Sequence, residues 1–434
     1  MFCVRNEKNT QDNHYPIGKE ETPIFFPYGK DSIQVLWEGT HPPALLTYRS
    51  EADASADALI RQALLQPAGS TRLHELTVGR KQAVILISDG TRLCPSFLFL
   101  PALLEELNKG GIPDERICIV VALGLHRKHT EAELRRLVGE TIYRRVRVLN
   151  HSACPEDCVL VGTTRQGTPI EINRQVTEAD LRIATGNIEP HRLVGVSGGV
   201  KALLPGTASE RCIEANHALS QRYKAKLGDP DNPIHDDMAE ALQAVPIHFL
   251  FNVIVNHRQE LLGAYAGEWA DAHRNGVEAA RNRFFIEQTN SYELVVASAG
   301  GYPKDSSLYQ SIKTLQNASA FTKPGGSILL LARCEEHFGN GILQHWVETI
   351  QDRKTIVSKL QRLFVLGAHK IAYIDDILSK HTVYLYSDMP EPIVELTGFI
   401  PVRAVKEVLQ KVAPTSRDIA FMPYGGLTFP SPTR

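Results

Sequence analysis

The strongest constraint on this chain is a set of short apolar runs that each stop at a glycine or polar turn. Four come early: QAVILIS at 82–88, RICIVVA at 116–122, VRVL at 146–149 and ADLRIAT at 179–185. Runs this short and rich in branched residues read as strands covered on both faces, and helical patterns separate them, which predicts α/β layering. A helix is expected over Pro101–Lys109. A second opens at Thr130, where Glu133 three residues later completes a capping box. After a strand near Ile247–Val255 comes a long helical stretch through Arg283. A new alternation begins at Tyr292–Ala297, with strands near 327–331, 383–386 and 419–422 and helices near 308–316, 354–366 and 402–412. At 434 residues the chain exceeds the usual single core. The expected fold class is α/β: two α/β domains with mixed or mostly parallel sheets and an active site in the interdomain cleft. The expected boundaries are a polar extension over 1–22, a first domain over 23–278, a second over 279–412, and a segment 413–434 returning to the first.

The balance of 47 basic against 49 acidic residues gives a net charge of −2, so no global field attracts nucleic acid or an anionic membrane. No apolar run approaches the ~20 residues that span a bilayer, and the opening residues lack a signal-peptide apolar region. A cytoplasmic protein with neither nucleic-acid nor membrane partners is expected. Its seven cysteines are odd in number and scattered, as reduced thiols are. Cys154 and Cys158, with His151 nearby, have CxxxC spacing rather than that of a zinc knuckle.

The polar residues of interest follow the ends of predicted strands, where open α/β sheets place ligands. Asp89, Thr91 and Arg92 follow the first run. Arginine there can clamp a carboxylate or phosphate, or form a structural ion pair with the aspartate. His126 follows the second run. The stretch 186–217 holds His191, the turn Gly195-Val196-Ser197-Gly198-Gly199, then Lys201 and His217. Its glycines allow close backbone approach and a nest of N–H groups for an anion, or simply a tight turn with a solvated lysine. It is not a phosphate-binding GxxxxGK[ST] loop. Imidazoles at strand ends suit proton transfer or metal ligation, and equally serve as hydrogen-bonded structural groups. Further on, Tyr309, Gln310 and Lys313 share one side of a predicted helix and can present donors to an anion.

Taken together, DGTR at Asp89, GLHR at Gly124, NIEPH at Asn187, GVSGGVKALLPG at Gly195, NH at Asn216, GGYPKD at Gly300 and YQSIK at Tyr309 resemble the nickel-dependent lactate racemase family. The spacings of ten residues from His191 to Lys201 and sixteen from Lys201 to His217 match as well. The resemblance implies a nickel-pincer nucleotide, pyridinium-3-thioamide-5-thiocarboxylic acid mononucleotide, joined covalently to Lys201, with His217 completing the nickel coordination. It implies His126 and His191 as catalytic acid and base. Asp89, Thr91, Arg92, Ser197, Gly198, Gly199 and Tyr309 would bind the cofactor, and Arg92, Gln310 and Lys313 the substrate. That substrate would be a small 2-hydroxy acid, and enzymes that make the cofactor would be maturation partners. The chemistry is coherent, because a carbon beside a carboxylate is a very poor acid and hydride removal avoids the carbanion. Which hydroxy acid is inverted stays open among lactate, malate, aryl hydroxy acids and sugar acids. Two other readings are a zinc hydrolase using the three histidines with Glu189 as base, and a noncatalytic binder of a phosphorylated metabolite.

Overall fold

The computed structural model describes residues 23–37, 42–350, 352–362, 364–412 and 418–431. The expected polar extension over 1–22 lies outside the described residues, as do 413–417 and 432–434 of the expected final segment. The chain forms two compact units. One runs from Arg49 to Phe285, and the other combines residues up to Tyr48 with Ile286–Ser431.

The Arg49–Phe285 unit is built on a six-stranded sheet. Its spatial order is Leu261–Gly267, Phe249–Val255, Leu181–Asn187, Ala83–Ser88, Ile117–Ala122 and Arg147–Asn150. Neighbours are parallel except at the Leu261–Gly267 edge, which is antiparallel. Ala83–Ile87 and Leu181–Asn187 are buried throughout, so their continuous apolar character reflects cover on both faces. From Ala83–Ser88 the chain adds strands to one side, then returns to add Leu181–Asn187 and Phe249–Val255 on the other. The order therefore reverses between Ser88 and Leu181, and the crevice beyond the carboxyl ends of those two strands is where such sheets bind ligands.

Two elements differ from expectation. The first helix starts at Ser96 and carries Pro101 inside it. Burial of Phe99, Leu100, Leu103, Leu104 and Leu107 outweighs the roughly 3 kcal/mol that an interior proline costs. The stretch before Arg283 is a strand, Leu261–Gly267, followed by a helix, Trp269–Phe284. The small residues of LLGAYAG mask its strand character. The Glu268 carboxylate, accepting from the N–H groups of Ala270 and Asp271, starts the helix. At Thr130 the expected capping box is present in both directions.

The other unit holds a six-stranded parallel sheet in the order Ile400–Val402, Thr382–Tyr386, Thr322–Leu331, Tyr292–Ser298, Ile419–Met422 and Ala44–Leu45. The hairpin Ile24–Tyr28/Asp31–Val35 buries Phe26 and Val35 in a cluster with Leu294, Val296 and Leu329. Residues 23–48 therefore belong here and not with the first domain. The final segment also differs: Ile419–Met422 pairs between Tyr292–Ser298 and Ala44–Leu45 instead of returning to the first domain. The helix Trp269–Phe284 runs across the expected 278/279 boundary, and the division falls at Phe285/Ile286. The three expected helices here run Leu308–Phe321, Arg353–Arg362 and Val405–Val412, their ends differing by a few residues from expectation, and Gly341–Thr349, Lys370–Leu378 and Glu391–Leu396 are helices the sequence did not announce. Among the described residues no helix is long and apolar enough to cross a membrane.

Candidate active site

Asp89 begins the turn after Ala83–Ser88 and is almost fully buried. Its Oδ1 accepts from the Thr91 N–H at 2.7 Å and the Thr91 hydroxyl at 2.5 Å. Its Oδ2 lies 3.2 Å from His126 Nδ1 and 3.8 Å from Arg92 Nε. Burial alone would raise this carboxyl, but His126, Arg92 and Thr91 together hold it well below the usual carboxylate range. Asp89 is therefore an acceptor only, so His126 carries a hydrogen on Nδ1 and, in its neutral form, presents a lone pair on Nε2. Thr91 gives both its hydrogens to Asp89, which makes it a brace with only lone pairs left for a ligand.

The glycine turn follows Leu181–Asn187. Pro190 and His191 pair antiparallel with Val196 and Gly195. Gly195 has φ +82°, and a Cβ there would stand 1.7 Å from the Asp229 carbonyl oxygen. Gly199, at φ +55°, would put a Cβ 2.9 Å from the His273 ring. The turn is not the open nest of donors that the sequence suggested. The Ser197 N–H donates to Glu189 O, the Gly199 N–H to Asn252 Oδ1 at 2.7 Å, and the Lys201 N–H to Gly198 O. The Ser197 hydroxyl donates to Asn187 O and accepts from the Glu189 N–H. At Gly198, too, the place of a Cβ is taken, by Asn252 Oδ1 at 2.7 Å and Ile188 Cγ1 at 2.9 Å.

This turn feeds the short helical segment Gly199–Ala202, which carries Lys201. Burial, and then the Arg92 guanidinium, push the Lys201 amine down to about 7, with Glu189 pulling the other way. His217 sits on the helix Glu210–Ala218, whose start is capped by the Ser209 hydroxyl. Burial and Lys201 push His217 down to about 3, and its Nδ1 is buried with no hydrogen-bond partner. A neutral imidazole with a bare ring nitrogen beside a partly neutralised amine suits a metal ligand next to a covalent attachment point. His191 stands on the hairpin leading into the turn, and its Nδ1 accepts from the Leu193 N–H at 3.3 Å. The structure thus joins Asp89, Thr91, Arg92 and His126 by direct contact. It couples Arg92, Lys201 and His217 through charge.

Tyr309, Gln310 and Lys313 belong to the other unit, on one half-buried side of Leu308–Phe321. The Lys370 ammonium lies 5.2 Å from the Tyr309 ring centre. Sequence reasoning missed His235 and His273, whose stacked rings lie 5.6 Å apart. Burial and Lys201 are among the causes that lower both, and His273 Nε2 lies 3.0 Å from the Ser197 carbonyl. Neither stands in a motif, and only the fold brings them beneath the turn. His151 is structural: its ring nitrogens meet Ala208 O at 2.9 Å and Asn173 Nδ2 at 3.2 Å. Among the described residues no group of three or more His, Cys, Asp or Glu is arranged to hold a metal ion, so the three-histidine zinc site of the hydrolase reading does not form.

Known proteins resemble this chain over most of its length. Residues 28–228 match the lactate racemase N-terminal domain and residues 287–422 the lactate racemase C-terminal domain. The chain is 33% identical over 344 residues to a lactate racemase of Thermoanaerobacterium thermosaccharolyticum, covering 78% of this chain and 80% of that protein. It is also 33% identical over 382 residues to a lactate racemase of Lactiplantibacillus plantarum, covering 85% and 89%. The structure of the lactate racemase apoprotein from T. thermosaccharolyticum superposes with a TM-score of 0.84 at 30% identity, covering 95% of this chain and all of that one. A Thermotoga maritima protein shares the fold at 18% identity and a TM-score of 0.68, over 88% of this chain.

Proposed function

The chain belongs to the lactate racemase family and is an isomerase, and we propose that it inverts carbon 2 of a small 2-hydroxy acid, with lactate the first substrate to try. The observation that carries this reading is the pairing of an Asp89-oriented imidazole with a buried amine near pKa 7, both at the switch point of one sheet.

The residues fit the nickel-pincer nucleotide. Lys201, uncharged in a large fraction of molecules at neutral pH, would carry it covalently. His217, neutral down to about pH 3 and with Nδ1 unpartnered, would ligate its nickel. The family resemblance also assigns Gly198 and Gly199 to the cofactor. When bound, the group supplies a hydride acceptor for carbon 2.

The chain's own work is proton handling and orientation. With Nδ1–H given to Asp89, His126 would accept the substrate hydroxyl proton at Nε2. His191 has the opposite tautomer, since its Nδ1 accepts the Leu193 N–H and its Nε2 must hold the hydrogen. In each turnover one histidine would start neutral as the base and the other protonated as the acid, and the two would exchange roles when the reaction reverses. Arg92, kept beside Asp89, would hold the substrate carboxylate. The family resemblance assigns Gln310 and Lys313 to the substrate as well, and Tyr309 to the cofactor.

The test is to produce the protein together with cofactor-making enzymes and measure intact mass, nickel content and chiral composition of added L-lactate. An adduct on Lys201, about one nickel per chain and appearance of D-lactate are expected. Nickel-loaded, adduct-bearing protein that inverts no 2-hydroxy acid would overturn the proposed reaction.

A further inference from the structure

Two histidines three apart in the chain grip two successive residues of the turn after Ala83–Ser88. His126 donates from Nδ1 to Asp89 Oδ2 at 3.2 Å, and His129 Nε2 accepts from the Gly90 N–H at 2.9 Å. Only His126 belongs to a motif that the resemblance absorbs, and nothing assigns a role to His129.

The His129 side chain is only 8% exposed, so this contact is not a casual surface one. Because Nε2 accepts a backbone N–H, the ring is neutral with its hydrogen on Nδ1. That nitrogen faces Glu133 Oε2 at 3.5 Å. Glu133 is itself fixed by Arg127, at 2.7 and 2.9 Å, and by the Thr130 N–H at 2.8 Å. The His129 backbone is held on both sides by Asn150, which accepts from its N–H at 3.0 Å and donates to its carbonyl at 2.8 Å. Asn150 ends the strand Arg147–Asn150, so the His129 backbone is tied to one strand end while its ring reaches the turn after another. Space is also used up: a Cβ on Gly90 would stand 3.2 Å from His129 Cε1.

We infer that His129 is a positioning residue for the Asp89–His126 couple, acting through the Gly90 N–H that adjoins Asp89. A rigid two-point clamp of this kind keeps the carboxylate within reach of the imidazole. With the second point removed, the turn can rotate and the first contact lengthens. The catalytic meaning of the clamp rests on the acid/base role proposed for His126, but the physical claim about the couple does not.

The experiment uses the full chain labelled with ¹⁵N histidine, without cofactor, and follows the His126 Nδ1–H resonance and its exchange with water. The comparison is among the parent, His129→Leu, which has no acceptor, and His129→Gln, whose amide oxygen can replace Nε2. His129→Leu should speed that exchange roughly tenfold, the scale of one lost hydrogen bond, and His129→Gln should restore it to within about twofold of the parent. In loaded enzyme the same pair should show kcat reduced and recovered with KM little changed. Unchanged His126 tautomer and exchange in a folded His129→Leu protein would overturn the inference. Should that variant fail to fold, the parent decides: absence of a through-hydrogen-bond coupling between the Gly90 amide and His129 Nε2 overturns it, and presence together with parent-like His129→Gln supports it. Because the exchange reading needs no turnover, failure of the racemase reading and failure of the clamp give different results.

Discussion

Asp89 and Lys201 sit at the ends of neighbouring segments of one unit, and burial acts on them with opposite outcomes. Asp89 keeps its charge because Thr91, His126 and Arg92 surround it with donors and positive charge. Lys201 loses much of its charge because it is buried with Arg92 as a neighbour, and Glu189 offsets this only in part. The first half of the site is a satisfied polar network, which fixes a tautomer. The second is an unsatisfied one, with a depressed amine and a bare His217 nitrogen, which leaves bonding capacity for something else.

The largest test of that contrast is Lys201→Ala. The unsatisfied half should then lose its covalent group, and intact mass should show no adduct and chiral analysis no inversion. Asp89→Asn attacks the satisfied half. It removes the charge and allows the wrong His126 tautomer, so kcat should fall by about 10²-fold or more while the adduct on Lys201 remains. Gly199→Ala should destabilise by roughly 1–3 kcal/mol, read as a lower midpoint in chemical denaturation, because φ is +55° and the His273 ring occupies the place of a Cβ. The last test concerns acid. His217 has an ordinary value of 6.5 and is held at about 3 in the fold, so between those pH values the unfolded chain takes up a proton that the folded chain refuses. Stability therefore falls as pH drops through that window. In His217→Asn the fall in Tm with acid should be shallower, though not absent, because His151 and His235 are lowered by burial in the same direction.

Much of this arrangement was legible in the residues. Continuous branched runs announced the parallel strands, Thr130 and Glu133 announced a helix start, and the motifs at strand ends pointed to the region of the candidate site. Leu261–Gly267 was hidden because small residues carry little strand signal. Residues 23–48 and 419–422 were misplaced because nothing in a linear pattern says which sheet a short edge strand will join. The spent donors of the glycine turn were equally invisible. Whether an N–H group is free depends on partners such as Asn252, which are distant in sequence. His129, His235 and His273 stand outside every motif, so only their burial and neighbours single them out.

The interleaving of the second sheet has a consequence for how the protein is made. Ala44–Leu45 waits on Ile419–Met422, its only neighbour in that sheet among the described residues. The stretch from Arg49 to Phe285 is continuous and emerges in one piece, so the ribosome delivers every strand of its sheet before the strands beyond Ile286 exist. Synthesis therefore presents the segment bearing Lys201 and its histidines before residues 419–422 exist, and Ala44–Leu45 stays unpaired in its sheet until they do.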